Sequence, residues 1–368
     1  MKVALIVPGG VDRSGEYRVI PVLLALMNRL TPHHELHVFA LAQEPARGDW
    51  DLAGAHVHNI GLGRTRSRAL MAILREHRVA PFDIVHSIWS GACGLIAVCA
   101  ARLLRIPSMV HIAGGELIAL PDINYGGRLT WKGRSREAIV LRAATTLTAP
   151  SAPIIADMME LGLLAHRVPL GIDLSEWVPQ PPVRRDPRER ARLIHVASLN
   201  RIKDQGTLLR AIATVVSSGL DVHLDIVGED TLQGEIQALA QRLGLATHVK
   251  FHGFLPQRQL RPLVAAAHLM IMSSRHETGP VAMLEAGAVG VPTVGTAVGH
   301  IAEWSPSASV AVPVGDWDAL GAAIRHLLED EDLRLRIAQA AFQRATSEDA
   351  AYTASLVHNF YLKLTKVA

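Results

Sequence analysis

Ser274-Arg-His-Glu277-Thr-Gly-Pro-Val-Ala-Met-Leu-Glu285-Ala-Gly-Ala-Val-Gly290-Val-Pro292-Thr-Val294 is the stretch that decides the fold of this 368-residue chain. The apolar run before it, 269–272, reads as a buried strand. A turn follows, then a helix over 281–289, and Pro292 leads into a further strand at 293–294. Two glutamates separated by seven residues flank the turn and the helix start. The positive N-terminus of a helix suits a pyrophosphate, and carboxylates accept hydrogen bonds from sugar hydroxyls.

Working outward, the same alternation of short apolar runs with helical periodicity continues to both ends, the pattern of βαβ units and parallel sheets. In the first half, strands are predicted at 3–7, 35–40, 56–59, 84–87, 108–112 and 146–149, with helices at 19–30, 68–77, 93–104 and 131–143. The second half gives strands at 193–197, 223–227, 249–252, 269–272, 293–294 and 310–312, with helices at 207–217, 232–243, 259–265 and 281–289. Between the halves, Trp177-Val-Pro-Gln-Pro-Pro-Val-Arg-Arg-Asp-Pro-Arg-Glu-Arg190 is rich in Pro and charge and reads as a linker and hinge. The expected organisation is an N-terminal Rossmann-like domain over 1–174, a linker over 175–192, a C-terminal domain over 193–345 and a helix over 346–368 that packs back on the first domain. Two such halves make a cleft between strand C-termini, where open α/β sheets bind ligands.

Composition supports a folded globular chain of about two domains: 49% hydrophobic and 19% charged residues, with 29 Gly and 20 Pro. A formal net charge of +3 and 4% aromatics give no basis for nucleic-acid binding. Cys93 and Cys99 are the only cysteines, six apart in an apolar helical stretch, where they neither pair nor chelate. That usage fits a reducing compartment, and the expected location is cytoplasmic. The apolar start of the chain is too short for a signal peptide, and no apolar run reaches the ~20 residues of a membrane span. Arg64, Arg66 and Arg68, and Arg128, Lys132, Arg134 and Arg136, read as solvated helix faces, with weak peripheral contact to anionic lipid at the inner membrane face, or to an acidic acceptor, as the alternative.

The Glu277 to Val294 stretch resembles the Glu-x7-Glu signature of the family 4 retaining glycosyltransferases, which have the two-domain GT-B fold: two Rossmann-like domains of doubly wound α/β type facing across a cleft. Leu224-Asp-Ile-Val-Gly228-Glu, Val249-Lys-Phe-His-Gly253-Phe254-Leu-Pro256 and 263–274 resemble successive strand ends of that family's donor domain. Val298-Gly-His300 and Pro313-Val-Gly-Asp316 resemble its later loops. The resemblance implies that Glu285 bonds the donor ribose and Glu277 a hydroxyl of the transferred sugar, while Gly279, Pro280 and Val281 form the turn whose Gly279 and Val281 amides touch sugar or phosphate. It also implies that Lys203 binds phosphate, that Gly228 and Phe254 line the donor site, and that Gly10 closes against the diphosphate from the other domain. The implied donor is a nucleoside-diphosphate sugar, UDP-hexose first and GDP-mannose second. No metal cofactor is required, and the acceptor is a polysaccharide, lipid-linked sugar or small metabolite.

Three departures from the family pattern stand out. Ser198 occupies the usual arginine position before the lysine, and Arg201 is close enough to substitute. Pro280 replaces a residue with an N–H to donate, although proline is well tolerated in a helix's first turn. Ala113 stands where the family commonly places its active-site histidine, and His111, two residues earlier on the same strand face, is the candidate replacement. Gly114, Gly115 and Glu116 are candidates for acceptor contacts, whereas His86 is a strand-end residue without a chemical role. A nucleotide-sugar epimerase and a catalytically silent donor-binding relative remain the alternatives to a transferase.

Two patterns read as structural. Asp330-Glu-Asp332 sits just before a helix and reads as a cap rather than a metal motif. His56 and His58 alternate along one strand, but the sequence places no third metal ligand beside them.

Overall fold

The computed structural model of the protein describes residues 1–367, so Ala368, the end of the predicted 346–368 segment, lies outside the described residues. The chain forms two compact units, one of Met1–Gly171 together with the chain from Ala350 onward, the other of Ile172–Asp349. Each is an α/β unit with helices on a mostly or wholly parallel sheet.

The first unit runs β1 (Lys2–Val7), α1 (Pro21–Leu30), β2 (Glu35–Ala40), β3 (Gly48–Leu52), β4 (Ala55–Asn59), α2 (Thr65–Val79) and β5 (Ile84–Ile88). It continues through α3 (Leu95–Leu104), β6 (Ser108–His111), α4 (Trp131–Ala143), β7 (Thr146–Ala149), α5 (Ala152–Glu160) and β8 (His166–Arg167). The strand order is β3-β4-β2-β1-β5-β6-β7-β8, with β3 antiparallel to β4 and the other pairs parallel. All six residues of β1 are buried, as expected of a central strand covered on both faces. The chain leaves β1 towards β2 on one side and returns as β5 on the other, so the topological switch point lies between β1 and β5.

The second unit runs β9 (Ala191–Val196), α6 (Gln205–Ser217), β10 (Val222–Val227), α7 (Glu235–Arg242), β11 (Val249–Gly253), α8 (Gln257–Ala265) and β12 (Leu269–Met272). After these come α9 (Val281–Ala288), β13 (Thr293–Thr296), α10 (Gly299–Trp304), β14 (Val310–Val312), α11 (Trp317–Glu329) and α12 (Glu331–Ser347). Its order, β11-β10-β9-β12-β13-β14, puts the switch point between β9 and β12. One face buries Leu193, Leu224 and Ile271 of the sheet under Leu208 and Ile212 of α6 and Ile324 of α11. On α9 Met283 through Ala288 are all buried. A Cβ on Gly287 would lie 3.1 Å from the Ala345 Cβ of α12, so the two helices approach closely.

The last helix, α13 (Ala350–Val367), belongs to the first unit. Its Ala354, Val357 and Tyr361 recur at helical spacing and are buried in that unit's core. Thr353 Oγ1 donates to Pro169 O at 2.7 Å, and the Tyr361 hydroxyl lies 2.7 Å from His86 Nδ1. The Pro-rich stretch read as a linker contains neither helix nor strand, yet it is tied into the second unit: Gln180 N donates to Ala288 O, Arg185 N to Glu331 Oε1, and Trp177 is buried. Among the described residues no helix is long and apolar enough to cross a membrane. Cys93 and Cys99 are both free thiols. Asp330 caps α12 by accepting from Leu333 N, and Asp332 pairs with Arg184, in line with the capping reading.

Candidate active site

Two loops at the β9/β12 switch point carry the densest set of sequence-predicted residues. Lys203 follows β9, and its ammonium lies 2.5 Å from Glu277 Oε1 after β12. The Ser274 hydroxyl donates to the same carboxylate oxygen at 2.6 Å. Backbone contacts fix the pairing of the loops: Arg275 N donates to Ile202 O at 2.8 Å, and Ser273 Oγ to Lys203 O at 2.8 Å. Gly299, at φ +50°, presses on the same turn, since a Cβ there would come within 2.9 Å of the Glu277 and Thr278 carbonyl oxygens. The turn runs through Gly279 and Pro280 into α9, whose first residue is Val281. The first N–H groups of a helix have no carbonyl partner within it, and they face outward as donors.

Glu285 lies one turn further along α9 and is 4% exposed. Gln257 Nε2 donates to its Oε1 at 3.2 Å, and Trp177 supplies a second side-chain hydrogen bond. Burial pushes its pKa up to about 7, more than these bonds and the charge of Arg261 pull it down. Of the other donor-side candidates, Gly228 (φ +153°) serves backbone packing, because a Cβ would lie 2.0 Å from Ala197 O. Phe254 stands 56% exposed after β11. Arg201 is not drawn to Lys203 but forks onto Glu235 of α7 at 2.9 and 2.7 Å.

The first unit gathers its candidates at the C-terminal ends of β1, β5 and β6, beside its own switch point. The Gly10 amide is taken up by Gln43 Oε1 at 2.7 Å, and Val11 N donates to the same oxygen at 3.0 Å. Glu116 clamps the β5 and β6 loops: its Oε1 accepts from Ser90 N at 3.1 Å and Ala113 N at 3.3 Å, its Oε2 from Gly114 N at 2.6 Å. Burial raises the Glu116 pKa although these backbone amides pull it down. Gly115 leaves room for Tyr125, whose ring would lie 2.4 Å from an added Cβ. His111 is 1% exposed, with Nδ1 2.9 Å from Thr148 Oγ1, and burial lowers its pKa to about 3. A strand interior covered on both faces keeps it from solvent, so the alternation that put it on the face of Ala113 did not bring it to the surface.

Residues 180–344 match the family model described as Glycosyl transferases group 1, and residues 19–171 match Glycosyl transferase 4-like domain. The chain belongs to the family 4 glycosyltransferases. It is 29% identical over 274 residues to the glycogen synthase of Mycobacterium tuberculosis, covering 72% of this chain and 65% of that one. The chain spans between 57% and 65% of the length of curated relatives such as this one. In fold it is similar to sucrose-phosphate synthase from Thermosynechococcus elongatus, with a TM-score of 0.83 at 18% identity and 100% of each chain covered. It is also similar to Anabaena HepE in complex with UDP, with a TM-score of 0.75 at 17% identity, over 99% of this chain and 100% of that one. The two parallel-sheet units are thus those of a GT-B fold.

Several side chains that shape these loops carry no motif. His195, fully buried on β9, has Nδ1 2.8 Å from Ile271 O and Nε2 3.1 Å from Gln205 Nε2, which ties β9, β12 and the start of α6 together. Burial brings its pKa to about 4 and keeps it neutral. Gln43 organises the Gly10 loop, and Trp89, at φ +75°, turns the chain sharply at the end of β5. Their partners lie elsewhere in the chain, and the one signal that could have found any of them is a polar residue within an apolar run, His195.

Proposed function

We propose that the protein transfers a hexose from a nucleoside-diphosphate sugar to a hydroxyl acceptor with retention of anomeric configuration, and that the second unit binds the donor. The observation that carries this reading is the Lys203–Glu277–Ser274 cluster at the β9/β12 switch point, beside the N-terminus of α9. The Lys203 ammonium and the α9 amides at Val281 neutralise the departing diphosphate. Glu277 accepts from a hydroxyl of the transferred sugar and Glu285 from the ribose. The acceptor oxygen bonds the anomeric carbon on the face from which the diphosphate leaves. Arg201 reaches the phosphates only by exchanging the Glu235 carboxylate for them. UDP-hexose is the preferred donor, supported by the Anabaena HepE complexes with UDP and UDP-glucose, and GDP-mannose is second. No metal takes part in the transfer.

The test is release of nucleoside diphosphate from a panel of UDP-, GDP- and ADP-sugars with candidate acceptors. Turnover with one donor, lost in Lys203→Met and Glu277→Gln, supports the transferase. A donor-binding relative without transfer is the second reading, favoured by Ala113 in the family's usual histidine position and by the sealed His111. Donor binding without release under every acceptor tried would establish it instead.

A further inference from the structure

Away from the β9/β12 and β1/β5 switch points, β2, β4 and α2 bring together three side chains of metal-ligating type. β2 pairs with β4 so that His37 stands opposite His56, and His58 follows on the same face. His37 Nδ1 faces His58 Nε2 at 2.9 Å, and Glu76 of α2 places Oε1 3.9 Å from His37 Nδ1. The His37, His58 and Glu76 ligand atoms all lie within 4.8 Å of one another.

The outer ring nitrogens decide what the inner ones can do. His37 Nε2 lies 3.0 Å from Glu35 Oε1, and His58 Nδ1 lies 2.7 Å from Asp49 Oδ1. Each carboxylate accepts the proton of the nitrogen it faces, which fixes both tautomers and leaves both inner nitrogens with lone pairs. Two lone pairs facing at 2.9 Å need a positive centre between them. A proton shared between them would put a full charge on one ring. A bridging metal ion satisfies both nitrogens while the rings stay neutral.

We propose that His37, His58 and Glu76 form a binding site for a divalent transition-metal ion of the Zn2+ kind, with Glu35 and Asp49 orienting the two imidazoles. At Zn–N distances of 2.0–2.1 Å, two ligand atoms of a tetrahedron stand about 3.3 Å apart, so the observed 2.9 and 3.9 Å need movements of about half an ångström, and the third pair, within 4.8 Å, closes by up to about 1.5 Å as the Glu76 side chain swings in. Lys2 Nζ already lies 2.7 Å from Glu76 Oε1, and a carboxylate has lone pairs for both cations. Glu35, Asp49 and Glu76 put three carboxylates against the two imidazoles and their partners, and Lys2 is the ammonium paired with Glu76. His58 and Glu76 also line a pocket of about 650 Å3 together with Arg47, Arg64, Arg68 and Arg75, which gives solvent access and makes a water or small anion the fourth ligand. Two histidines and one carboxylate with an open position is a set that zinc accepts.

The test uses the full, tag-free chain, with ZnCl2 titrated against a chromophoric chelator and CoCl2 as a spectroscopic probe. The expected result is one Zn2+ per chain and an intense tetrahedral Co2+ spectrum, both lost in His58→Gln and Glu76→Gln. Asp49→Asn, whose side chain is 77% exposed, leaves the fold intact and weakens the affinity about 10- to 100-fold, the effect of losing a carboxylate behind a ligating histidine. His358→Ala is the control, because His34 Nε2 and His358 Nδ1 form another histidine pair at 2.9 Å. No binding by the wild type, binding unchanged in His58→Gln and Glu76→Gln, or binding lost only in His358→Ala would overturn the assignment.

Discussion

Replacing Glu285 by Gln is expected to stabilise the free protein and to disable the proposed donor site, a combination that follows from where α9 is buried. The carboxyl is 4% exposed and its pKa rises from 4.5 to about 7, with burial as the main cause. A folded-state value above the unfolded one means that the folded state holds the proton more tightly. The stability this gives is complete below about pH 4.5 and is lost as the pH rises through about 7. At ~1.4 kcal/mol per pKa unit, the full penalty above pH 7 is on the order of 3 kcal/mol. Glutamine keeps an oxygen to accept from Gln257 and Trp177 and carries no charge to desolvate. Its Tm should therefore exceed the wild type's by several degrees at about pH 8.5 and match it near pH 4.5, since ~1 kcal/mol moves Tm by ~2–4 °C in a unit of this size. Hydroxyl groups of a donor ribose stabilise the ionised form, so donor binding should expel a proton from the wild type and none from Glu285→Gln. Differential scanning calorimetry at the two pH values, without donor, checks the first part. A variant no more stable than the wild type at high pH would refute the buried, destabilising carboxylate.

Further consequences are open to simple assays. His86 and His111 are buried and neutral with pKa values lowered to about 3 from 6.5, so the stability they contribute is present above about pH 6.5 and falls as the pH drops towards 3. At about pH 4.5 the loss is up to roughly 2–3 kcal/mol per histidine. Urea midpoints against pH should fall less steeply for His111→Asn than for the wild type, and parallel curves would contradict the reading. Gly228→Ala forces a Cβ to within 2.0 Å of Ala197 O and should destabilise by on the order of 3 kcal/mol, seen as a lower urea midpoint. Lys203→Met leaves the half-buried Glu277 carboxylate with Ser274 but without its ammonium partner, and should cost about 1–3 kcal/mol while abolishing diphosphate binding.

Legibility in the sequence followed the range of the interactions. Strands such as β2, β7, β12 and β14 are dictated by local apolar runs, and their boundaries, like those of helix α4, coincide with the sequence reading. The edge strand β3, Gly48–Leu52, escaped because Asp49 and Asp51 alternate with few apolar residues and its pairing with β4 is an edge contact. Helix α7 begins at Glu235, three residues late, because Asp230 takes the Leu232 and Gly234 amides into a turn and Gly234 adopts φ +86°. The stretch before α3 is a separate turn over Ser90–Gly94, held by Glu116 from another loop. Of the candidate site residues, Glu277 and Glu285 stand out in the sequence by their seven-residue spacing and Lys203 only by the family resemblance, and the structure brings Lys203 to Glu277. Arg201's attachment to Glu235, the burial of His111 and the hold of Glu116 on Ser90 depend on partners 26 to 37 residues away, which no local pattern encodes.

The most direct measurement is a calorimetric titration of UDP, GDP and ADP into the wild type and Glu285→Ala, in a chelating buffer that removes divalent metal. A donor site built on Lys203, Glu277 and α9 predicts that one diphosphate binds at a single site per chain without metal, and that the alanine variant loses it. Failure of every diphosphate to bind, or binding unchanged in Glu285→Ala, would contradict it.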